Sequence, residues 1–393
     1  MIHFAAIPIR PRATVMASLK LNTDLPEIDD YEALFLDDRP LLDVRAPVEF
    51  AEGAFPHADN QPLIDDLERH QVGTLYKEQG QDAAVTEGLK LVSGDLKQQR
   101  IAAWKSFVRE HPEGALYCFR GGMRSKITQQ WLYEATGIAY PRVRGGYKAL
   151  RRFLIDQLAK NAVLMHPVVI GGRTGVGKTR FIKQLSPYLD LEGLAWHRGS
   201  AFGRHATPQP PQISFENALS IELLRLVKNG NPWFAAEDES RNIGGRHIPM
   251  EFFQHFSKAP VVVLETDLSQ RIDVTLREYV EDALAEYVAV YSEDEGWSRW
   301  TDSLRDSLYR IRKRLGGEDY QRISTLLEDA LALHERSGRT EGHRGWIKAL
   351  LVDYYDAMYN YQLQQKQDRI QYTGDIDSVR EYLLTRFKIQ FKL

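Results

Sequence analysis

The sequence predicts an α/β protein with two domains, and three observations support this fold class. Short apolar runs of strand length recur between longer stretches with helical periodicity. Two of these runs lead directly into glycine-rich loops that are followed by helical patterns. The chain of 393 residues is long enough for two hydrophobic cores. We predict a flexible tail over 1–25, one α/β domain over 26–155, a second over 160–300 and a mainly helical C-terminal extension over 301–393.

The composition excludes several classes of protein. Hydrophobic residues make up 43% of the chain and charged residues 27%, which is ordinary for a globular protein. No apolar run approaches the roughly 18 residues of a membrane span. The net charge of −3 excludes a globally basic nucleic-acid binder, so any RNA contact must come from local basic patches. A single cysteine excludes a disulfide framework and a cysteine-based zinc site, and it fits a reducing cytoplasm.

The first 25 residues contain no acidic residue before Asp24 and only a short apolar stretch, broken by Pro8. This pattern does not predict a cleaved signal peptide. Met16 is an alternative start of the chain.

The only cysteine, Cys118, lies between a predicted strand over 115–117 and a predicted helix. Backbone N–H groups and the positive end of the helix dipole converge at such a position, so the thiolate is favoured over the thiol. Two arginines add positive charge, and two glycines let the loop surround an anion. A buried structural cysteine is the alternative, but this loop composition favours a reactive one. The candidate residues beside Cys118 are Arg120, Gly121, Gly122, Arg124 and Ser125.

The loop resembles the active-site loop of rhodanese-fold sulfurtransferases. Arg124 follows Cys118 by six positions, one more than in the plain single-domain rhodanese, which resembles the related phosphatases and arsenate reductases with their larger tetrahedral anions. Asp43-Val-Arg45 resembles the entry signature of the rhodanese fold, and the run over 140–146 resembles its closing strand. We interpret Asp43 and Arg45 as an internal ion pair that shapes the floor of the loop.

Two sets of basic residues are candidates for RNA contacts. Arg144, Lys148 and Arg152 recur at four-residue steps in a predicted helix over 146–158, which places them on one face. Arg310 and Arg314 share a face in the densest basic run of the chain. A solvated helix face is the alternative interpretation, and a contact with the phosphate backbone is the functional one.

A second chemical centre follows the predicted strand over 166–170. The octapeptide matches the phosphate-binding P-loop, in which backbone amides and a lysine bind phosphate oxygens and a hydroxyl can bind Mg²⁺. Arg271 and Arg277 are spaced like the lid arginines of nucleotide-kinase-like proteins. The predicted phosphate-binding residues are Gly172, Arg173, Thr174, Gly175, Val176, Gly177, Lys178 and Thr179.

The predicted strand beginning at Pro232 ends in an acidic run, and Glu237 or Asp238 is a candidate for positioning Mg²⁺. A surface acid cluster is the alternative. A tyrosine-rich helical pattern lies near the end of the chain, and core packing is favoured for it over base stacking. These tyrosines are Tyr354, Tyr355, Tyr359 and Tyr361.

The combination of the two loops is more specific than either alone. From about residue 30 to 361, the chain closely resembles the bacterial tRNA 2-selenouridine synthases. The motifs that carry the resemblance are the 43–45 and 118–125 segments, Gly145-Gly-Tyr-Lys-Ala-Leu150, Leu191-Glu-Gly-Leu-Ala195, His197-Arg-Gly-Ser-Ala-Phe-Gly203 and Glu237-Asp-Glu-Ser240.

The resemblance implies an enzyme that replaces the sulfur of 2-thiouridine at the tRNA wobble position with selenium from selenophosphate. It implies two steps, S-geranylation by geranyl diphosphate and then displacement by selenium. Cys118 is then the nucleophile or the selenium carrier, Arg120 and Arg124 hold selenophosphate, and Lys178 and Thr179 hold diphosphate. We expect no tightly bound cofactor and no bound metal, with Mg²⁺ an open alternative at the P-loop.

Two other functions remain open at this point. One is a sulfurtransferase or phosphatase fused to an ATP-dependent kinase-like domain. The other is a rhodanese-fold binding module that regulates an NTPase, a type that usually lacks the cysteine.

Overall fold

The structure is a computed structural model that describes residues 21–392. These residues form two compact units that divide between Leu154 and Ile155, inside a long helix. Both units contain parallel sheets flanked by helices, so the predicted α/β class is confirmed. Most of the predicted tail, including Met16, lies outside the described residues. Residues 21–25 pack on the first unit, where Leu25 is buried and the amide of Asn22 donates to Gln130 Oε1 at 2.8 Å.

The first unit contains five strands and seven helices within the described residues. Its strands are β1 (Glu27–Ile28), β2 (Leu41–Asp43), β3 (Ala58–Asn60), β4 (Ala115–Tyr117) and β5 (Arg142–Val143). Its helices are α1 (Tyr31–Leu36), α2 (Pro47–Glu52), α3 (Asp66–Gln79), α4 (Gln81–Leu91), α5 (Gly94–Glu110), α6 (Met123–Thr136) and α7 (Gly146–Leu164), the last of which crosses the boundary.

All neighbouring strands of the first sheet are parallel, in the order β1-β5-β4-β2-β3. Strands β2 and β4 are fully buried, as expected for the middle of a parallel sheet covered on both faces. The carboxyl ends of parallel strands meet at one edge, so Asp43 and Cys118 end neighbouring strands there. Strand β3 begins at Ala58, directly after a turn in which His57 has φ 56°.

The second unit surrounds a larger parallel sheet. Its strands are β6 (His166–Gly171), β7 (Leu185–Ser186), β8 (Tyr188–Leu189), β9 (Trp233–Glu237), β10 (Asn242–Ile243), β11 (Arg246–His247), β12 (Val261–Leu264), β13 (Ile370–Gly374) and β14 (Gln390–Phe391). Its helices are α8 (Lys178–Lys183), α9 (Leu191–Ala195), α10 (Gln212–Lys228), α11 (Met250–Phe256), α12 (Leu268–Leu276), α13 (Asp282–Val290), α14 (Glu293–Leu315), α15 (Gly317–Ser337), α16 (Arg344–Ala349), α17 (Asp356–Gln364) and α18 (Ile376–Phe387).

The strand order of the second sheet is β13-β12-β6-β9-β8, with β6 in the centre. The segment predicted as a helical extension therefore supplies the edge strand β13, which pairs in parallel with β12. Helix α18 also contributes Val379, Leu383 and Phe387 to the core that holds Phe181 and Ile182 of the P-loop helix. The part of this segment that precedes β13 is mainly helical, as predicted, and includes α15 and most of α14.

The described residues contain no helix long and apolar enough to cross a membrane. Helices α14 and α15 pack through apolar residues at three- and four-residue spacing. The contact buries Trp300, Leu304 and Leu308 against Ile323 and Leu327.

A buried histidine pair in this core predicts acid sensitivity. His343 Nδ1 accepts from Trp346 Nε1 at 2.9 Å, and its Nε2 lies 3.2 Å from His334 Nδ1. Burial, and then the neighbouring His334, lowers the pKa of His343 to about 4. His343 therefore binds a proton near pH 6.5 in the unfolded chain but only near pH 4 in the folded chain. The folding stability that is present above pH 6.5 is lost as the pH falls towards 4.

We expect protonation of His343 to lower the free energy of unfolding by up to about 3 kcal/mol over that pH range. Urea unfolding at several pH values measures it. The variant His343→Gln keeps an acceptor for Trp346 but does not titrate, so its stability should fall less steeply with acid. Equal pH dependence in the two proteins would contradict the assignment.

Candidate functional site

The thiol loop runs from the end of β4 to the start of α6. Cys118 is 3% exposed, and its Sγ lies 3.3 Å from Ser125 Oγ. Ser125 Oγ in turn donates to the carbonyl of Gly122 at 3.0 Å. The 14-residue helix α6 begins at Met123, so its free N–H groups lie beside the thiol. The structure therefore brings the predicted thiol, hydroxyl and helix start together.

Arg124 is fixed by two hydrogen bonds to the carboxylate of Glu49 in α2, one of them 3.0 Å long from Nη2 to Oε1. Glu49 also accepts from the amide of Ala46 at 3.0 Å, which closes the first turn of α2. Burial alone would raise the pKa of Glu49, but the ion pair with Arg124 holds it below its ordinary value. The sequence had not indicated this partner. Arg120 is exposed at the rim.

The predicted ion pair of Asp43 and Arg45 is confirmed, with Arg45 Nη2 2.7 Å from Asp43 Oδ2 and both side chains almost completely buried. Arg45 also donates to the carbonyls of Glu49 and Gly53, and its guanidinium stacks 3.8 Å from the ring centroid of Tyr147. This network satisfies the buried charges and ties α2, which carries Glu49, to the end of β2.

The back of the thiol loop rests on the turn before α7. The amides of Tyr147 and Lys148 donate to the carbonyls of Cys118 and Phe119 at 2.9 and 3.0 Å. A Cβ on Gly146 would collide with the carbonyl of Cys118. The close approach therefore requires glycine there, and it turns these carbonyls away from the anion side of the loop. The sequence had indicated only a glycine turn at this position.

A cavity of about 750 Å³ opens on the thiol, within the usual size range of small-molecule sites. Its polar end carries Cys118, Arg120, Arg124, Glu49 and Arg69. Its other walls are mainly apolar and come from the segment before α3, from α3 and α4, and from α6; they include Leu63, Ile64, Val72, Val85, Leu89, Val92, Met123, Ile127 and Trp131.

The second centre lies after β6, at the middle of the larger sheet. Six of the eight predicted P-loop residues line a cavity of about 880 Å³. The other two do not: Val176 is buried in the core, and Arg173 lies near Asp356 and donates to Asn360 Oδ1 at 3.3 Å. Lys178 Nζ donates to the carbonyl of Gly172 at 2.9 Å, so the lysine lies across its own loop.

The acidic residues near the P-loop differ from the predicted set. Glu237 is fully buried, accepts from the amide of Leu191 at 3.1 Å and does not line the cavity. Asp238 lines the cavity but is paired with Lys366 at 2.6 Å. Thr179 Oγ1 donates to Glu192 at 2.9 Å, and burial followed by the nearby Glu192 carboxyl raises the pKa of Glu239 well above its ordinary value.

Away from the P-loop, the cavity lining combines charged residues such as Arg198 and Glu278 with aromatic and apolar ones. The latter include Ile311, Met358, Tyr354, Tyr355, Tyr279 and Ala201. Tyr354 and Tyr355 are buried, as their predicted core role requires, whereas Tyr361 is 66% exposed. Arg271 is buried and ties the P-loop carbonyl of Thr174 to Asp356, which is a structural role and not that of a mobile lid arginine.

The predicted RNA-contacting residues differ in their surroundings. Arg144 is paired with Glu27 and Asp29 at 3.0 and 2.6 Å. Lys148 and Arg152 are exposed on α7. Arg310 donates to the carbonyl of Ala201 at 2.9 Å, whereas Arg314 is exposed and lines the P-loop cavity. Lys148 and Arg314 are therefore the better placed candidates.

The fold and the two loops define an α/β protein with a thiol loop at a helix start in one unit and a P-loop sheet in the other. Residues 165–390 match the family model described as the tRNA 2-selenouridine synthase AAA domain. The chain is 53% identical over 361 residues to the tRNA 2-selenouridine synthase of Marinobacter nauticus, covering 92% of this chain and 98% of that protein.

Two further relatives with the same name give similar values. The protein of Pseudomonas putida is 51% identical over 357 residues, covering 91% of this chain and 98% of the relative. The protein of Bordetella bronchiseptica is 51% identical over 354 residues, covering 90% of this chain and 96% of the relative. The chain belongs to the tRNA 2-selenouridine synthase family.

Proposed function

We propose that this protein converts 2-thiouridine at the tRNA wobble position into 2-selenouridine in the cytoplasm, through an S-geranyl-2-thiouridine intermediate. The observation that carries the proposal is the presence of both loops, each opening on its own cavity with both charged and apolar side chains in its lining. The relatives named above carry the name of this activity. The first unit then serves as a rhodanese-like domain, which its parallel sheet order supports.

The two steps need different sites, because a thiocarbonyl sulfur is a poor leaving group until it is alkylated. In the first step the sulfur attacks C1 of geranyl diphosphate, the C–O bond breaks and diphosphate leaves. Lys178 and the amides of the P-loop hold the negative charge that develops on that leaving group. The apolar walls near Ile311 and Met358 suit the geranyl chain, which a nucleotide substrate would not require.

Mg²⁺ would fit beside Thr179, Glu192 and Glu239, rather than at Glu237 or Asp238. Thr179 and Glu192 are in contact, Glu239 lines the same cavity, and burial followed by the Glu192 carboxyl raises the pKa of Glu239. The described residues contain no cluster of three or more protein ligands that could hold a metal. Mg²⁺ in phosphate sites commonly uses one or two carboxylates plus phosphate oxygens, so this set suffices. The ion would neutralise the diphosphate.

In the second step selenium replaces the geranylated sulfur at C2 of the base. Arg124, Arg120 and the amides of the thiol loop hold selenophosphate, and Cys118 is the nucleophile. The apolar walls of this cavity, such as those formed by Val85 and Leu89, suit the departing geranyl chain. A site for selenophosphate alone, a small and highly charged anion, would not need them.

A direct comparison of substrates tests the proposal. Purified protein should consume geranyl diphosphate in the presence of RNA that carries 2-thiouridine, and it should hydrolyse ATP slowly or not at all. Rapid ATP hydrolysis without loss of geranyl diphosphate would favour an ATP-dependent kinase-like domain fused to a sulfurtransferase or phosphatase.

Binding of tRNA should depend on the exposed face of α7. The variant Lys148→Glu should weaken tRNA binding and lower the slope of log affinity against log salt by about one, because one phosphate contact is lost. Fluorescence anisotropy with labelled tRNA at several salt concentrations measures this slope. Arg144→Glu is the matched control with a smaller effect, because Arg144 is already paired with two acids. An unchanged slope in the Lys148 variant would indicate that the RNA contact lies elsewhere, with the region of Arg314 to be tested next.

A further inference from the structure

The thiol loop has the spacing and the contacts of a phosphoryl-transfer site. Five residues separate Cys118 from Arg124, and Ser125 follows directly. Ser125 is completely buried, with its hydroxyl 3.3 Å from the sulfur. Arg124 is held in place by Glu49 while it lines the cavity. A thiolate, a fixed guanidinium for the oxygens and a hydroxyl beside the sulfur together suit attack on a tetrahedral phosphorus.

We infer that Cys118 accepts the phosphoryl group of the selenium donor and does not carry selenium. This inference rests on the proposed function. Its basis, besides the geometry, is the balance of electrons. An S–Se bond formed from a thiolate and selenophosphate would leave two electrons on phosphorus, giving phosphite unless an oxidant removed them. The proposed reaction supplies no oxidant, and attack on phosphorus needs none.

The balanced sequence has three steps. First, selenium of selenophosphate attacks C2 of the S-geranylated base, a C–Se bond forms and geranyl thiolate leaves. Second, the Cys118 thiolate attacks phosphorus, the S–P bond forms, the P–Se bond breaks and its electron pair stays on selenium. This step yields 2-selenouridine, which takes a proton from water at N3, and S-phosphocysteine. Third, water attacks phosphorus, the S–P bond breaks, and phosphate and the thiolate are released.

Each loop residue has a defined part in these steps. Arg124 and the loop amides bind the phosphoryl oxygens as the group moves to sulfur. Ser125 can turn its hydroxyl from the carbonyl of Gly122 to the sulfur, and there it stabilises the thiolate that leaves in the third step. Ser125 thus assists the breakdown of phosphocysteine more than its formation.

Acid quenching during turnover tests the inference. The protein is mixed with selenophosphate and an anticodon RNA that already carries S-geranyl-2-thiouridine, and the Cys118 peptide is examined by mass spectrometry. We expect one phosphoryl group on Cys118. Ser125→Ala should accumulate this species and release phosphate roughly tenfold to hundredfold more slowly, because it lacks a hydrogen bond to a charged group. Ser106→Ala, a surface serine of α5, should behave as the unaltered protein.

The outcomes separate this inference from the proposed function. Selenium on Cys118, or 2-selenouridine formed without phosphocysteine in either the unaltered protein or Ser125→Ala, would overturn the inference and leave the proposed function standing. Phosphocysteine and phosphate formed from selenophosphate without 2-selenouridine would support the phosphoryl transfer and overturn the proposed function. Absence of all three products would overturn both.

Discussion

Lys178→Ala should fail to geranylate 2-thiouridine, whereas Cys118→Ser should geranylate it but form no 2-selenouridine. In the proposed mechanism Lys178 holds the departing diphosphate, so its loss removes stabilisation where negative charge develops. Loss of one such group costs roughly a hundredfold to a thousandfold in rate. Serine at position 118 keeps the size of the side chain but loses most of its nucleophilicity. The geranylated base, or the Se-phosphorylated base that selenophosphate forms from it, should therefore accumulate in place of 2-selenouridine.

Liquid chromatography and mass spectrometry of the nucleosides measure both results. RNA that has been geranylated in advance should restore 2-selenouridine formation by the Lys178 variant but not by the Cys118 variant. Lys183→Ala is a matched control, since its ammonium is paired with Asp190 at 3.0 Å. If the folded Cys118 variant makes no geranylated uridine in the absence of selenophosphate, the two steps do not use separate sites. If the Lys178 variant selenates unmodified RNA normally, the P-loop serves another substrate, such as ATP.

Asp43→Ala should destabilise the first unit by about 3–5 kcal/mol, since removal of one partner leaves a buried charge without compensation. Arg45 is 1% exposed. Without Asp43, the hydrogen-bond partners of its guanidinium are the backbone carbonyls of Glu49 and Gly53, which carry no charge. Asp43 also accepts from the hydroxyl of Tyr117 at 2.7 Å. The variant thus leaves the Arg45 guanidinium and the Tyr117 hydroxyl without their carboxylate partner near the thiol loop.

Hydrogen–deuterium exchange of the β4 peptide reports the stability of this unit without interference from the rest of the chain. Asp37→Ala is the matched control, because the ion pair of Asp37 with Arg39 is exposed and should contribute no more than about 1 kcal/mol. Similar exchange rates in the two variants would show that the buried pair contributes little. Geranylation in vitro should be less affected than selenation, since only the latter uses the thiol loop.

Local patterns predicted the elements that carry the chemistry. Strand β4, the helix after Cys118 and the P-loop after β6 each have a continuous apolar run followed by glycine and charge, so short-range signals suffice. The pair of Asp43 and Arg45 was predictable because the two residues are close in sequence.

Partners that are distant in sequence could not be predicted in this way. Glu49 binds Arg124 across 75 positions, and Lys366 neutralises Asp238 across 128. The acid run after β9 suggested Glu237 or Asp238 near the P-loop, but the sheet register buries the first and Lys366 pairs the second. Strand β13 was missed because it follows a long helical region, and only its pairing with β12 defines it.

The late position of β13 has a consequence for synthesis on the ribosome. Strands β1 to β5 are all complete by Val143, so the first sheet can form while the rest of the chain is still being translated. The second sheet cannot be finished until residues 370–374 and the core residues of α18 have emerged. Until then β12 presents an apolar, unpaired edge, and a ribosome that stalls within α14 or α15 holds a nascent chain prone to aggregation.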